Sequence, residues 1–190
     1  SLPGLTLAVE EIEKFEQVMK TAGEALNNFL IGKPLQADIA EIDQPDIPLW
    51  AVWAIQQYAH SVGREKCYEK YGKLVETIVS CIENGKHENI FVADNGLLKV
   101  NGVERAMTWM NSSVYGKPVV PRSGYIVELN ALWYNALKFV AHLAEKRNDV
   151  ETIMIQITTK EKLIRNKSLS DNKAIMLFKD LIRPVLSFIA

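Results

Sequence analysis

Two segments, 46–62 and 125–147, carry apolar residues at helical spacing around most of their circumference, and this limits the fold more than anything else in the chain. The first holds Leu49, Trp50, Val52, Trp53, Ile55, Tyr58 and Ala59; the second holds Ile126, Val127, Leu129, Leu132, Trp133, Leu137, Phe139, Val140 and Leu143. A helix with so little polar surface has to be covered on more than one side. Two further segments, 7–31 and 64–84, are one-sided: Ile12, Phe15, Leu26 and Phe29, or Tyr71, Val75, Ile78 and Ile82, face a charged back. The pattern predicts an all-α fold in two layers, with the greasy helices inside and the amphipathic ones outside.

Punctuation agrees. Gly32 and Pro34 stop the first helix, Asp46-Ile47-Pro48 opens the second, Gly63 separates it from the third, and Asn84-Gly85 ends that one. Residues 86–124 form a long, mostly irregular excursion in which Ile90-Phe91-Val92 and Leu97-Leu98 read as brief strands around an Asp94-Asn95-Gly96 turn. Excursions of that length are uncommon in compact domains and often functional. Two shorter helices are expected over 150–166 and 171–189, giving about six in a single domain over 1–190.

The charge balance, 22 Lys and Arg against 23 Asp and Glu, gives no pull toward nucleic acid or an anionic membrane. No apolar run reaches the ~20 residues of a membrane span. Ser1 in place of Met, with no leader after it, reads as a piece trimmed from a longer protein. Cys67 and Cys81 are too few for a disulfide framework or a cysteine zinc site and suit a reducing cytoplasm. His60, His87 and His142 lack metal-ligand spacing, and the chain has neither a phosphate loop nor a Gly-x-Ser-x-Gly elbow, so no metal or cofactor is expected. The stretch Lys160, Lys162, Arg165, Lys167 reads as a solvated helix face.

Few residues remain that could carry chemistry. Trp50, Trp53, Trp109 and Trp133 are either core or sugar platforms, since indole stacks on the apolar face of a pyranose ring. Trp109, beside Asn111 and Ser112 in a Gly/Pro-rich loop, favours the platform. Asp46, one turn before Trp50, is a helix cap, a ligand contact or both. Glu128 lies in an otherwise apolar helix, where an unpaired carboxylate is costly, so it has either a partner, Arg122 being the nearest, or a task. Asn130, Tyr134 and Asn135 add polar groups to the same helix start.

The runs Thr108-Trp109-Met110-Asn111, Gly116-Lys117-Pro118-Val119-Val120-Pro121-Arg122 and Val127-Glu128-Leu129-Asn130-Ala131-Leu132-Trp133-Tyr134-Asn135-Ala136-Leu137 closely resemble the C-terminal domain of glycogen debranching enzymes. Asp46-Ile47-Pro48-Leu49-Trp50 and Gln56-Gln57-Tyr58 are similar to an earlier segment of that family, and the resemblance covers roughly 46–147. It implies part of an α/α barrel of six-hairpin type and a cytoplasmic amylo-α-1,6-glucosidase. Such an enzyme removes the glucose left at a branch point of glycogen or limit dextrin. The implied mechanism is inverting: one carboxylic acid protonates the leaving oxygen and one carboxylate activates water, ~6.5–9.5 Å apart. Asp46, Trp50, Trp109, Arg122, Asn130, Trp133 and Tyr134 would then contact an α-glucan, with Glu128 as catalytic carboxylate.

Two departures stand against that reading. The family's usual motif ends in Asp, the implied general acid; here the position is Asn111, whose amide cannot donate a carboxylic proton. The second carboxylate of the family would fall beyond Ala190. About six helices would make half a barrel, the rest lying in a longer parent protein. That leaves apolar faces open to self-association, and the chain alone is expected to be inactive. A non-catalytic α-glucan-binding module and a purely structural helical domain are the alternatives.

Overall fold

The computed structural model describes residues 2–33, 42–102 and 105–144. The two helices expected over 150–166 and 171–189, and the basic stretch 160–167, lie outside those residues. Five helices and four very short strands are described, so the fold is all-α apart from two small hairpins.

The N-terminal helix differs from expectation. A short helix α1, Leu2–Leu5, and a 3₁₀ turn, Leu7–Val9, precede α2, Ile12–Leu30. The break falls at Glu10, which adopts a left-handed φ of 62°. Leu7 O accepts the Glu10 N–H and Thr6 O that of Glu11, closing the turn before α2 can begin. Val9 is consequently exposed, although it continues the apolar period. The other end of α2 follows the pattern: Gly32 is left-handed, and the N–H groups of Gly32 and Lys33 bond Phe29 O and Asn28 O, a Schellman closure. The same closure recurs at Gly85, where α4 ends.

α3 spans Asp46–Val62 and α4 Arg64–Glu83, with only Gly63 between them, so the chain reverses directly. α5 spans Val127–Ala144. Contacts along their lengths fix the directions. Near one end, Asp46 and Glu128, each in the first turn of its helix, meet the same loop. Halfway along, Asn135 Nδ2 donates to Gln56 Oε1 at 2.8 Å. At the far end Arg64, just beyond α3, donates to His142 O at 3.0 Å. α3 and α5 are therefore parallel. α2 runs parallel to α4: Phe15 and Glu16 sit beside Tyr71 and Lys70, while Leu30 O faces Cys81. Outer α2, inner α3, outer α4 and inner α5 give the alternation expected of an α/α barrel segment.

Burial supports the layering. α5 leaves Val127, Tyr134, Lys138 and His142 exposed, a single narrow stripe at spacings of seven and four. The core joins both layers through residues such as Phe15, Leu49, Ile55, Val75, Ile78, Ile82 and Leu129. Phe15 stacks on Tyr58 at 5.2 Å, and Tyr71 meets Tyr58 edge-on at the same distance. The free thiols of Cys67 and Cys81 are buried. Among the described residues, no helix is long and apolar enough to cross a membrane.

The excursion between α4 and α5 contains β1, Ile90–Val92, paired antiparallel with β2, Leu98–Val100, around the expected turn. Ile90, Leu98 and Val100 plug into the core. A second hairpin that the sequence did not announce pairs β3, Ser113–Val114, with β4, Lys117–Pro118. Reciprocal backbone bonds of 2.9 Å between Val100 and Gly124 tie the excursion's two halves together where it rejoins α5.

Candidate functional site

Parallel inner helices bring two helix N-termini to one end of the molecule. Each carries the partial positive charge of its unpaired N–H groups, which favours acids in the first turn. Asp46 and Glu128 occupy those positions.

Asp46, the first residue of α3, is 2% exposed. Its Oδ2 accepts the backbone N–H of Trp109 at 3.0 Å. That bond ties the start of α3 to a partner 63 residues away. Thr108, fully buried, offers its Oγ1 to Arg122 Nε at 2.9 Å. The Arg122 guanidinium forms an ion pair with Glu128, so the anticipated partnership is present. Burial pushes the Arg122 guanidinium down from its ordinary range, and the nearby Asp46 charge pulls the other way. The Asp46, Thr108-Trp109, Arg122 and Glu128 groups thus form one continuous network across the two helix starts. A second tether fixes the same region: Asp43 pairs with Arg105, and its side chain and carbonyl accept from Asn89 Nδ2 at 3.1 and 3.0 Å.

The network divides its members by accessibility. The side chain of Glu128 is 36% exposed, whereas that of Arg122 is 12% exposed. Trp109 has its backbone fixed and its indole 58% exposed. Trp50, a turn after Asp46, is also exposed and packs edge-on against half-buried Trp53 at 5.7 Å. Tyr134 opens to solvent on the stripe of α5, and Asn111 is exposed two residues past Trp109.

Two anticipated contacts are placed otherwise. Trp133 is 2% exposed and belongs to the core, because α5 is covered on the side it faces; its indole has no surface to offer a sugar. Asn130 is buried, and its amide behaves as an extra strand: Oδ1 accepts Leu98 N–H at 2.8 Å, while Nδ2 donates to Leu98 O and Ile126 O at 3.0 Å. Both hold the scaffold behind the site. Thr108 and Asp43 emerge as positioning groups that no local pattern singled out.

Two open grooves, about 760 and 560 Å³, flank α2 and are lined by none of these residues. Among the described residues, the candidate site presents the exposed aromatics Trp50, Trp109 and Tyr134. Among the described residues, no group of three or more His, Cys, Asp or Glu could hold a metal ion.

Compared with known proteins, the chain matches the family model described as amylo-alpha-1,6-glucosidase over residues 1–184. No curated protein and no solved structure matches it significantly.

Proposed function

The chain belongs to the amylo-alpha-1,6-glucosidase family, and from that premise we propose that the end of the bundle bearing Trp109 is its α-glucan-contacting surface, part of a glycoside hydrolase acting on α-1,6-linked glucose. The observation that carries the reading is the treatment of Trp109. Its backbone is locked to a buried carboxylate while its indole stands in solvent. An indole on so fixed a backbone, left uncovered, suits a flat, half-apolar, half-polar ligand, and a pyranose ring is one. Trp50 and Tyr134 add aromatic surface on the two inner helices, and Arg122 acts by holding the loop.

The chemistry then falls to Glu128. It faces Arg122 in an ion pair, and a carboxylate there suits activation of water or support of a cationic transition state. Asp46 is shielded and positions Trp109. Proton donation to the leaving oxygen is the part that Asn111 cannot supply. That observation favours a second reading, an α-glucan-binding module that cuts no bond.

Affinity electrophoresis in glycogen, followed by glucose release from limit dextrin, tests both. Retardation by glycogen that Trp109→Ala abolishes supports the contact surface. Unchanged retardation of Trp109→Ala refutes that residue's role. Glucose release that Glu128→Gln reduces by 100-fold or more, in the usual range for a positioned acid or base, selects the hydrolase; retardation without release selects the module.

A further inference from the structure

Three non-glycine residues among those described take left-handed φ values: Glu10, Tyr115 and Arg122. Such backbone is unfavourable for a residue with a side chain and persists only where something compensates it. Glu10 closes the 3₁₀ turn through its bond to Leu7 O. Arg122, at φ 53°, gains Thr108 and Glu128. Tyr115 gains nothing comparable within the fold. Its side chain is fully exposed at the tip of the β3–β4 hairpin.

The hairpin itself is well formed. Val114 pairs with Lys117 and Ser113 with Pro118, and Val119 N–H extends the ladder to Ser112 O at 2.9 Å. The two-residue turn, Tyr115 at φ 51° and Gly116 at φ 75°, is left-handed at both positions, as the type I′ turn requires. Asn, Asp or Gly would serve the first position with less strain. A bulky ring there weakens the turn and leaves apolar surface in water, so its use lies outside the fold.

We propose that Tyr115 is an outlying sugar-binding residue, stacking on a glucose unit of the α-glucan chain beyond the unit held at Trp109. The inference rests on the proposed glucan-contacting surface. Tyr115 and Trp109 sit on the same tethered excursion, six residues apart. The tip also presents the features a sugar needs: one open ring, a phenol free to bond a hydroxyl, and polar Ser113 and Lys117 beside it. A two-residue turn fixes the backbone that carries the ring, so little main-chain freedom is left to lose on binding.

The test compares Tyr115→Gly, Tyr115→Phe, Trp109→Ala and the parent chain by calorimetric titration with maltoheptaose and by thermal unfolding. Glycine relieves the strained turn while removing the ring, so stability and affinity should move in opposite directions. We expect Tyr115→Gly to unfold at the same or a higher temperature yet bind maltoheptaose about tenfold more weakly, the worth of one good contact, and Tyr115→Phe to bind within about twofold of the parent. Parent-like affinity of Tyr115→Gly, with binding weakened in Trp109→Ala, overturns the role of Tyr115 and leaves the contact surface standing. Absence of maltoheptaose binding by the parent chain overturns both.

Discussion

The layered helices and the loop-covered end of this molecule are stabilised in opposite ways. Within the layers, cohesion comes from many interchangeable apolar contacts, as between Phe15, Tyr58 and Tyr71. At the loop end it comes from a few polar bonds that have no substitutes: Asp46 to Trp109, Arg122 to Thr108 and Glu128, and Asn130 to Leu98. The first arrangement tolerates exchange of one hydrophobe for another. The second fixes single side chains and leaves large rings uncovered. A surface meant to meet a ligand is better served by the second, since burial alone would have drawn its aromatics inward.

The sharpest way to break this contrast is to empty the core. Trp133→Ala should cost about 3–5 kcal/mol in urea unfolding, the range for removing a large buried aromatic. A loss below about 1 kcal/mol would mean the indole is not the packing element its burial implies.

His87 comes next. Buried at the start of the excursion, edge-on to Phe29 at 5.6 Å, it accepts the Asn89 N–H through Nδ1 and is held neutral, pushed by burial from 6.5 down to about 4. The folded chain therefore resists a proton that the unfolded chain takes up. Stability should be level above about pH 6.5 and fall between pH 6.5 and 4, by up to about 3 kcal/mol from this group. His87→Phe should flatten that part of the profile relative to the parent chain, and equal slopes in the two proteins would rule the linkage out.

At the loop end the expected losses shrink and become local. Asn130→Ala strands both polar groups of Leu98 and should cost about 2 kcal/mol, with hydrogen exchange accelerated in β2 before the helices respond. Smallest of all, Trp109→Ala should change stability by no more than about 0.5 kcal/mol, as at other exposed positions. A larger loss would show that the indole serves the fold and would weaken the functional reading.

The same contrast decides what could be read from the sequence. The segments around Trp50 and Leu132 announced inner helices because their own periodicity says so. Gly63 and Gly85 marked real helix ends through local backbone needs. Glu10 did not, because the apolar period runs on through Val9 while the backbone turns. The β3–β4 hairpin escaped because its turn is Tyr-Gly rather than Asn-Gly and one of its strands contains Pro118. The bond from Trp109 to Asp46 was not legible, because its two ends lie 63 residues apart. Trp133 had to be buried somewhere on so apolar a helix, and its closeness to Glu128 in sequence drew attention to the wrong side of α5.

The distances along the chain also bear on the order of assembly. Helices α3 and α4 meet across a single glycine and need almost no loop closure to find each other. The bonds that complete the other end join residues 46, 62 and 63 positions apart. Contacts that remote form slowly and are entered only once the intervening chain is ordered. The scaffold can thus mature while its working end is still open, and under stress that end is the first to come undone.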